Sequence, residues 1–304
     1  MSIVSTRKLT SRQRLWLAAI KVPVYSVSVI PIIVGSSAAF EKISTFDFRI
    51  FTTFLISSIL IIAWINISND YFDADTGIDK NKPHSIVNLI NNKSLIFWLS
   101  NIFLILGIGG IVLISWLQKD LTVLFMVILC CILGYSYQGP PFRLGYKGLG
   151  EIISFITFGP IAVSASYYSQ VQHFSIISLA SGILIGISTS IILFCSHFHQ
   201  VKDDFFAGKR SPIVFLGTKL GSIVLKVITV FLMFLVIFFP ILKILPFWTF
   251  LSLLSFPVAH KLVQHVSQYH NQTSKVKNSK FIAIKFHFFS GILLSVGLIL
   301  SKFI

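Results

Sequence analysis

The chain has 304 residues, of which 55% are hydrophobic and 12% are charged, and its formal net charge is +15. A soluble globular domain carries about 25% charged residues, so this composition excludes an ordinary soluble domain and predicts a protein whose surface faces lipid. The positive charge suits an anionic membrane leaflet and anionic substrates, and nucleic acid is not an expected partner.

Membrane-spanning helices are the first elements that the sequence predicts. About 20 apolar residues are needed to cross a bilayer, and nine stretches approach that length. In chain order they lie near 22–40, 50–67, 95–116, 121–138, 151–169, 175–196, 222–242, 245–260 and 281–301. The connections are too short for a separate soluble domain, so 1–304 is predicted to be one domain, with 1–20 as a basic cytoplasmic N-terminal segment. The predicted fold class is an all-α membrane protein.

The distribution of lysine and arginine predicts the orientation of these spans. With nine spans, most basic residues fall on the face that holds the N-terminus and the 2–3, 4–5, 6–7 and 8–9 connections. Because basic loops favour the cytoplasmic side, this face is predicted to be cytoplasmic. An even number of spans would scramble the alternation, so the bias also supports the count of nine.

The acidic residues concentrate in two short segments. Of ten in the chain, six lie within 69–80, after the second span, and 199–209, after the sixth. A carboxylate near the membrane is costly unless it is compensated. A solvated loop is a reasonable interpretation of one such segment, but two segments on the same face, four spans apart, favour a shared binding function.

Spacing within the first segment favours a divalent metal. In a continued helix, Asn69 and Asp73 lie one turn apart on one face, as do Asp75 and Asp79. Oxygen ligands of this kind suit Mg²⁺, which usually keeps several waters and is shared with substrate phosphates. The lysines that flank both segments would oppose a bare cation, but they suit a metal bound together with a polyanion.

At these residues the sequence resembles the UbiA superfamily of intramembrane aromatic prenyltransferases. The family's first motif, Asn-Asp-x-x-Asp with a further Asp downstream, is matched by Asn69, Asp70, Asp73 and Asp79. The Gly-x-Asp-Lys version at 77–80 resembles the branch that prenylates 1,4-dihydroxy-2-naphthoate. The resemblance covers nearly the whole chain. It implies nine transmembrane helices around a central cavity, with Mg²⁺ as cofactor.

Further stretches resemble cyanobacterial and plastid members, which attach a phytyl chain on the way to phylloquinone. These stretches are 135–141 with 148–151, 81–89, 198–200 with 203–204, and 208–212. One position departs from the superfamily pattern, because Gln200 stands where other members often carry Asp, four residues before Asp204. Asp203 or a water would have to substitute there as a ligand.

The resemblance implies transfer of a phytyl chain from its diphosphate to 1,4-dihydroxy-2-naphthoate, with loss of CO₂ and pyrophosphate. The catalytic residues that it implies are Asp70, Asp73, Asp79, Asp204, Tyr135 and Tyr137. The substrate-binding residues are Asn69, Lys80, Arg143, Lys147, His199, Gln200 and Lys209. The metal ligands are Asn69, Asp73, Asp79, Asp203 and Asp204.

Several of these roles have simpler alternatives. Tyr135 and Tyr137 are expected to shield an allylic cation with their ring faces, but aromatic residues are common at membrane interfaces in any case. His197 and His199 are candidates for a base or for orienting the acceptor, and a packed or capping role is the simpler interpretation.

Other functions stay open from the sequence. A longer polyprenyl donor would serve menaquinone synthesis, and another aromatic acceptor such as homogentisate would fit the same chemistry. An ion-coupled transporter is the alternative from a different class, but transporter sites lie toward the bilayer midplane within broken helices, whereas these acids cluster at one face. The resemblance implies a cyanobacterial inner or thylakoid membrane, with the active site toward the cytoplasm.

Overall fold

The computed structural model describes residues 15, 16, 19, 21–76 and 85–304, and this part of the chain is helical, without a strand. Its principal helices, in chain order, are α1 (Ser26–Ile43), α2 (Phe48–Thr76), α3 (Lys93–Gln118), α4 (Thr122–Gln138), α5 (Gly150–Val171), α6 (Ile176–Phe206), α7 (Pro212–Ile241), α8 (Phe256–Tyr269) and α9 (Ser279–Leu300). The remaining helical segments are Val22–Tyr25, Ile86–Ile90, Leu144–Lys147, Phe247–Ser255 and Thr273–Val276. The predicted all-α membrane fold is confirmed.

Seven helices in the described ranges are long and apolar enough to cross a membrane, and two predicted spans correspond to shorter elements. The helix α4 has 17 residues. The eighth predicted span is a 3₁₀ segment of 9 residues, Phe247–Ser255, that leads into α8 of 14 residues. At about 2.0 Å per 3₁₀ residue and 1.5 Å per α residue, these two pieces extend about 39 Å, more than the hydrocarbon thickness of about 30 Å. The multi-pass character is confirmed, and the count of nine spans stays a prediction.

The helices α2 and α6 extend well beyond their predicted apolar stretches. α2 has 29 residues and ends at Thr76, and α6 has 31 residues and ends at Phe206. Their lengths of about 44 and 47 Å exceed the hydrocarbon thickness. Each helix therefore carries acidic residues on an end that projects beyond the apolar core of the bilayer.

Glycines bring α5 and α6 into backbone contact. A Cβ atom at Gly159 would lie 2.5 Å from the Gly182 carbonyl oxygen, and one at Gly186 would lie 2.6 Å from the Phe155 carbonyl oxygen. α5 also contains a π-helical turn at Thr157–Ile161, which accommodates a proline that has no amide hydrogen to donate. The close contact places the start of α5 beside the C-terminal part of α6.

Candidate active site

A cavity of about 720 Å³ lies between the helices, and its two ends differ chemically. Asn69, Asp73 and Asp204 are among the residues that line its polar end. The apolar part follows one face of α2 from Ile65 to Phe54. From Asp73 to Phe54 this helix is about 28 Å long, which is enough for a long hydrocarbon chain beside a charged group.

Asp73 of the first motif is held by side chains that follow the apolar part of α4. Gln138 Nε2 donates to its Oδ1 at 2.6 Å, and the Tyr146 hydroxyl donates to the same oxygen at 3.2 Å. The Tyr146 hydroxyl also lies 2.6 Å from Thr76 Oγ1. The end of α4 and the connection after it therefore orient the central carboxylate of the first motif.

Asp70 pairs with a lysine that precedes α1. Asp70 is 6% exposed. Its Oδ1 accepts a hydrogen bond from Lys21 Nζ at 2.7 Å, and its Oδ2 accepts one from the Ile86 amide at 3.2 Å. Both Lys21 and Asp70 line the cavity. These contacts anchor the end of α2 to two neighbouring segments, and the catalytic role predicted for Asp70 stays a prediction.

Asp204 is the buried carboxylate of the second motif. It is 1% exposed. His197 Nδ1 donates to its Oδ2 at 2.9 Å, and Lys209 Nζ lies 3.9 Å from its Oδ1. The other ring nitrogen of His197 lies 3.4 Å from Oε1 of Glu151, at the start of α5. Two carboxylates, an imidazole and an ammonium group therefore meet near the end of α6.

Lys209 and Tyr146 connect the two motifs. Lys209 is 6% exposed, and its Nζ lies 5.9 Å from the ring centroid of Tyr137 and 5.7 Å from that of Tyr146. The Arg210 amide donates to the Tyr146 carbonyl at 2.8 Å. Tyr146 thus contacts Asp73 through its hydroxyl and the second motif through its backbone.

The protonation states of these two groups suit an anionic ligand. Burial lowers the pKa of Lys209, but electrostatic interactions with Tyr137, Asp204 and Asp73 outweigh burial and raise the pKa above its usual value. Burial, with a further contribution from Asp73, raises the pKa of Tyr146 to about 12. At neutral pH Lys209 is therefore an ammonium cation and Tyr146 a neutral hydroxyl.

The structure brings most of the predicted site residues to the cavity. Those that line it are Asn69, Asp70, Asp73, Tyr137, His199, Gln200, Asp204 and Lys209. Two further predicted residues, Asp79 and Lys80, lie outside the described residues, so their roles stay predictions.

Four predicted residues lie outside the described lining of the cavity: Tyr135, Arg143, Lys147 and Asp203. The Tyr135 hydroxyl instead donates to the Pro140 carbonyl at 2.8 Å, and Lys147 and Asp203 are exposed. Asp203 is exposed, whereas its neighbour Asp204 is buried and lines the cavity. The geometry therefore does not support Asp203 as the substitute ligand for the missing Asp at position 200.

The site also contains residues that the sequence did not single out as functional. They are Lys21, Gln138, Tyr146 and Glu151. The last three lie within residues 135–151, and part of the resemblance rests on this region. The resemblance of this region is therefore the feature of the sequence that could have identified them as site residues. Lys21 lies at the start of an apolar stretch, and no spacing pattern connects it with Asp70.

The oxygen atoms at the polar end fit a hard divalent cation. Gln138 Oε1 and Asp204 Oδ1 are buried and have no hydrogen-bond partner among the described residues, and both residues line the cavity. Within the same part of the chain, no three His, Cys, Asp or Glu side chains form a closed metal site. An open set of carboxylate and amide oxygens suits Mg²⁺, because this ion keeps waters and shares substrate phosphates.

Comparison with known proteins agrees with this fold. The UbiA prenyltransferase family matches residues 28–291. The 2-carboxy-1,4-naphthoquinone phytyltransferase of Synechocystis sp. is 54% identical over 285 residues, which cover 94% of this chain and 93% of that protein. The chloroplastic 2-carboxy-1,4-naphthoquinone phytyltransferase of Arabidopsis thaliana is 39% identical over 299 residues, covering 96% of this chain and 78% of that protein.

A solved structure shares the fold. The UbiA homolog from Archaeoglobus fulgidus bound to GPP and Mg²⁺ matches with a TM-score of 0.59 and 14% sequence identity, covering 92% of this chain and 99% of that chain. The chain belongs to the UbiA prenyltransferase family. It is therefore a multi-pass membrane prenyltransferase.

Proposed function

We propose that the protein transfers a phytyl group from phytyl diphosphate to 1,4-dihydroxy-2-naphthoate, a step of phylloquinone synthesis. The observation that carries this proposal is the 54% identity, over nearly the whole chain, with a protein named 2-carboxy-1,4-naphthoquinone phytyltransferase. The cavity supports it, because a charged end suits a diphosphate and an apolar face suits an isoprenoid chain. The hydroquinone form of the acceptor is proposed because the ring must act as the nucleophile.

The reaction balances without an oxidant or a reductant. The bond between C1 of the donor and its oxygen breaks, and the electron pair leaves with pyrophosphate. The ring carbon that bears the acceptor's carboxylate attacks C1 and forms the new carbon–carbon bond. The bond to the carboxylate then breaks, its electron pair restores the aromatic ring, and CO₂ departs. The product is a phytylated naphthohydroquinone.

The polar end of the cavity holds the diphosphate in this proposal. Mg²⁺, when bound, supplies neutralisation of the diphosphate's negative charge. Asn69, Asp73 and Asp204 are the described side chains that would hold the metal, and each lines the cavity. The buried ammonium of Lys209 stabilises the charge that develops on the departing pyrophosphate. The Tyr146 hydroxyl keeps Asp73 oriented.

In this proposal the acceptor binds next to the diphosphate, beside His199 and Gln200 of α6, which both line the cavity. Tyr137 lines it from α4 and lies beneath the Lys209 ammonium. The face of its ring can stabilise positive charge on the allylic carbon. The site faces the cytoplasm, as the distribution of lysine and arginine favours. The membrane is an inner or thylakoid membrane, as the resemblance to cyanobacterial and plastid members implies.

A membrane assay tests the function. Membranes containing the protein receive Mg²⁺, 1,4-dihydroxy-2-naphthoate and either phytyl diphosphate or a long polyprenyl diphosphate, and products are identified by mass spectrometry. Phytylated product that disappears when a chelator removes Mg²⁺ supports the proposal. Turnover with the polyprenyl donor alone would assign the protein to menaquinone synthesis. No product with either donor would contradict naphthoate as the acceptor.

A further inference from the structure

A buried group of ionisable side chains lies behind the second motif, and the reaction described above gives it no role. His197 lies between two carboxylates, with Nδ1 2.9 Å from Asp204 Oδ2 and Nε2 3.4 Å from Glu151 Oε1. His197 is 2% exposed and lies outside the described lining of the cavity. It therefore acts on a ligand in the cavity only through Asp204.

The contact with His197 leaves the two oxygens of Asp204 unequal. An ionised carboxylate only accepts hydrogen bonds, so the short contact requires that Nδ1 carries the hydrogen and that Oδ2 accepts it. Oδ1 is buried and has no hydrogen-bond partner among the described residues, and its ion-pair neighbour Lys209 Nζ lies 3.9 Å away, beyond hydrogen-bond distance. Asp204 lines the cavity. Oδ1 is therefore the oxygen that Asp204 can offer to a metal ion.

The orientation of Asp204 is important because neighbouring residues of α6 supply no second carboxylate to the cavity. One turn earlier on α6 stands Gln200, a neutral amide, and the adjacent Asp203 is exposed. Within the described residues of α6, Asp204 is thus the one carboxylate that lines the cavity. Groups that orient a metal ligand from behind typically change metal affinity or activity about 10–100-fold when they are removed.

Glu151 is itself fixed in place. The Ser190 hydroxyl of α6 donates to the Glu151 carbonyl at 2.8 Å. The glycine contacts between α5 and α6 hold the two helices together at Gly159 and Gly186. These contacts set the backbone position of Glu151, whose Oε1 lies 3.4 Å from His197 Nε2.

We propose that His197, which lies between Asp204 and Glu151, is a positioning residue that orients Asp204 so that its Oδ1 binds the metal of a metal–diphosphate ligand. The proposal rests on the proposed function in taking Mg²⁺ and a diphosphate as the ligand. It does not depend on the length of the donor chain or on the identity of the acceptor.

Two substitutions separate the contacts of His197. His197→Asn places an amide nitrogen near the position of Nδ1 and keeps a donor for Asp204. His197→Gln places its amide nitrogen near the position of Nε2, where it faces Glu151 and leaves Asp204 without this donor. The purified protein is titrated in detergent with Mg²⁺ and inorganic pyrophosphate, and binding is followed by the shift of its thermal unfolding midpoint. The KM for 1,4-dihydroxy-2-naphthoate is measured in parallel.

The matched control is His287→Gln. His287 is also fully buried and donates to or accepts from Ser188 Oγ at 2.8 Å, but it lies outside the described lining of the cavity. This variant is expected to lower the unfolding midpoint of the ligand-free protein without changing its affinity for Mg²⁺ and pyrophosphate.

The expected result is a loss of affinity of about 10–100-fold in His197→Gln and of less than about threefold in His197→Asn, with an unchanged KM for the acceptor. Equal affinities in the two His197 variants would overturn the proposal, and so would an equal loss in His287→Gln. Binding of pyrophosphate needs neither a donor chain nor an acceptor, so the two proposals can fail separately. If the affinities of the variants differ as expected but the membrane assay yields no phytylated product, the role of His197 is supported and the proposed function is overturned.

Discussion

Asp203 and Asp204 are neighbours in the sequence, but their surroundings in the fold differ. Asp204 is 1% exposed, contacts His197 and lines the cavity, whereas Asp203 is exposed and lies outside the described lining. A buried charge is stable only when other groups compensate it, and the imidazole and Lys209 provide that compensation for Asp204 alone. The two carboxylates therefore provide a matched pair for testing the site.

Asp204→Asn is expected to lower kcat/KM for the diphosphate donor by at least about 100-fold. The substitution removes the negative charge that would bind the metal, while the shape of the side chain hardly changes. Asp203→Asn is expected to stay within about twofold of the unmodified protein, since an exposed charge contributes little. The measurement is steady-state kinetics in membranes at saturating Mg²⁺. Similar losses in both variants would show that the second motif binds through both carboxylates.

At the residue scale, the sequence predicts the carboxylates of the site better than their partners. Asp73 and Asp204 follow from the two acidic segments, and both line the cavity. The pairing of Lys21 with Asp70 and that of His197 with Glu151 join residues far apart in the chain or on different helices. No spacing rule connects such residues, because these contacts depend on how the helices pack.

At the element scale, hydropathy locates the spans but not their ends. The predicted stretches 50–67 and 175–196 stop where polar residues begin, whereas α2 and α6 continue as helices to Thr76 and Phe206. An apolar stretch marks where a helix lies in lipid, while backbone hydrogen bonds continue into water when polar side chains allow. The candidate site residues Asn69, Asp73 and Asp204 lie in these polar extensions, so the motifs, rather than the hydropathy, predict the candidate site.

Because α5 and α6 are in close contact, a larger side chain at Gly186 is expected to lower the stability of the protein strongly. Gly186→Leu is expected to force the helices apart, because even its Cβ would lie 2.6 Å from the Phe155 carbonyl oxygen. Overpacking of this kind costs about 1–3 kcal/mol, and the thermal unfolding midpoint in detergent should fall. Gly109→Leu is the control, since a Cβ there meets nothing within 4 Å. An equal fall in the control would contradict a specific contact between α5 and α6.

A residue on the apolar face of α2, Phe54, is expected to limit the length of the isoprenoid donor that the cavity accepts. Phe54 is 3% exposed and lines the cavity, about 28 Å along the helix from Asp73. Phe54→Ala is expected to raise kcat/KM for a long polyprenyl diphosphate relative to phytyl diphosphate by about tenfold, since it removes apolar bulk from the pocket. Ile56→Ala serves as the control, because Ile56 is 59% exposed. An unchanged ratio in Phe54→Ala would show that the chain leaves the cavity before it reaches Phe54.

At the scale of the whole molecule, the eighth predicted span decides the topology. The connection after α8 returns to the acidic end of the bundle, because Lys277 lines the same cavity as Asp204, and Ser279 Oγ donates to the Cys195 carbonyl at 3.3 Å. This return predicts that the chain between α7 and α9 crosses the bilayer, although it begins as a 3₁₀ segment. Hydropathy alone gives this short, proline-bounded stretch the weakest support of all the predicted spans.

Cysteine labelling in sealed, right-side-out bacterial vesicles tests both the orientation and this crossing. An impermeant maleimide is expected to label Arg49→Cys at once, since the Arg49 side chain is 91% exposed in the first turn of α2. Lys147→Cys and Gln272→Cys, at exposed positions near the acidic end, should react only after the vesicles are opened, because the basic face is predicted to be cytoplasmic. The unmodified protein, in which Cys131 and Cys195 are buried, gives the background. The reverse pattern would place the active site outside the cell, and labelling of Gln272→Cys together with Arg49→Cys would show that the eighth segment does not cross.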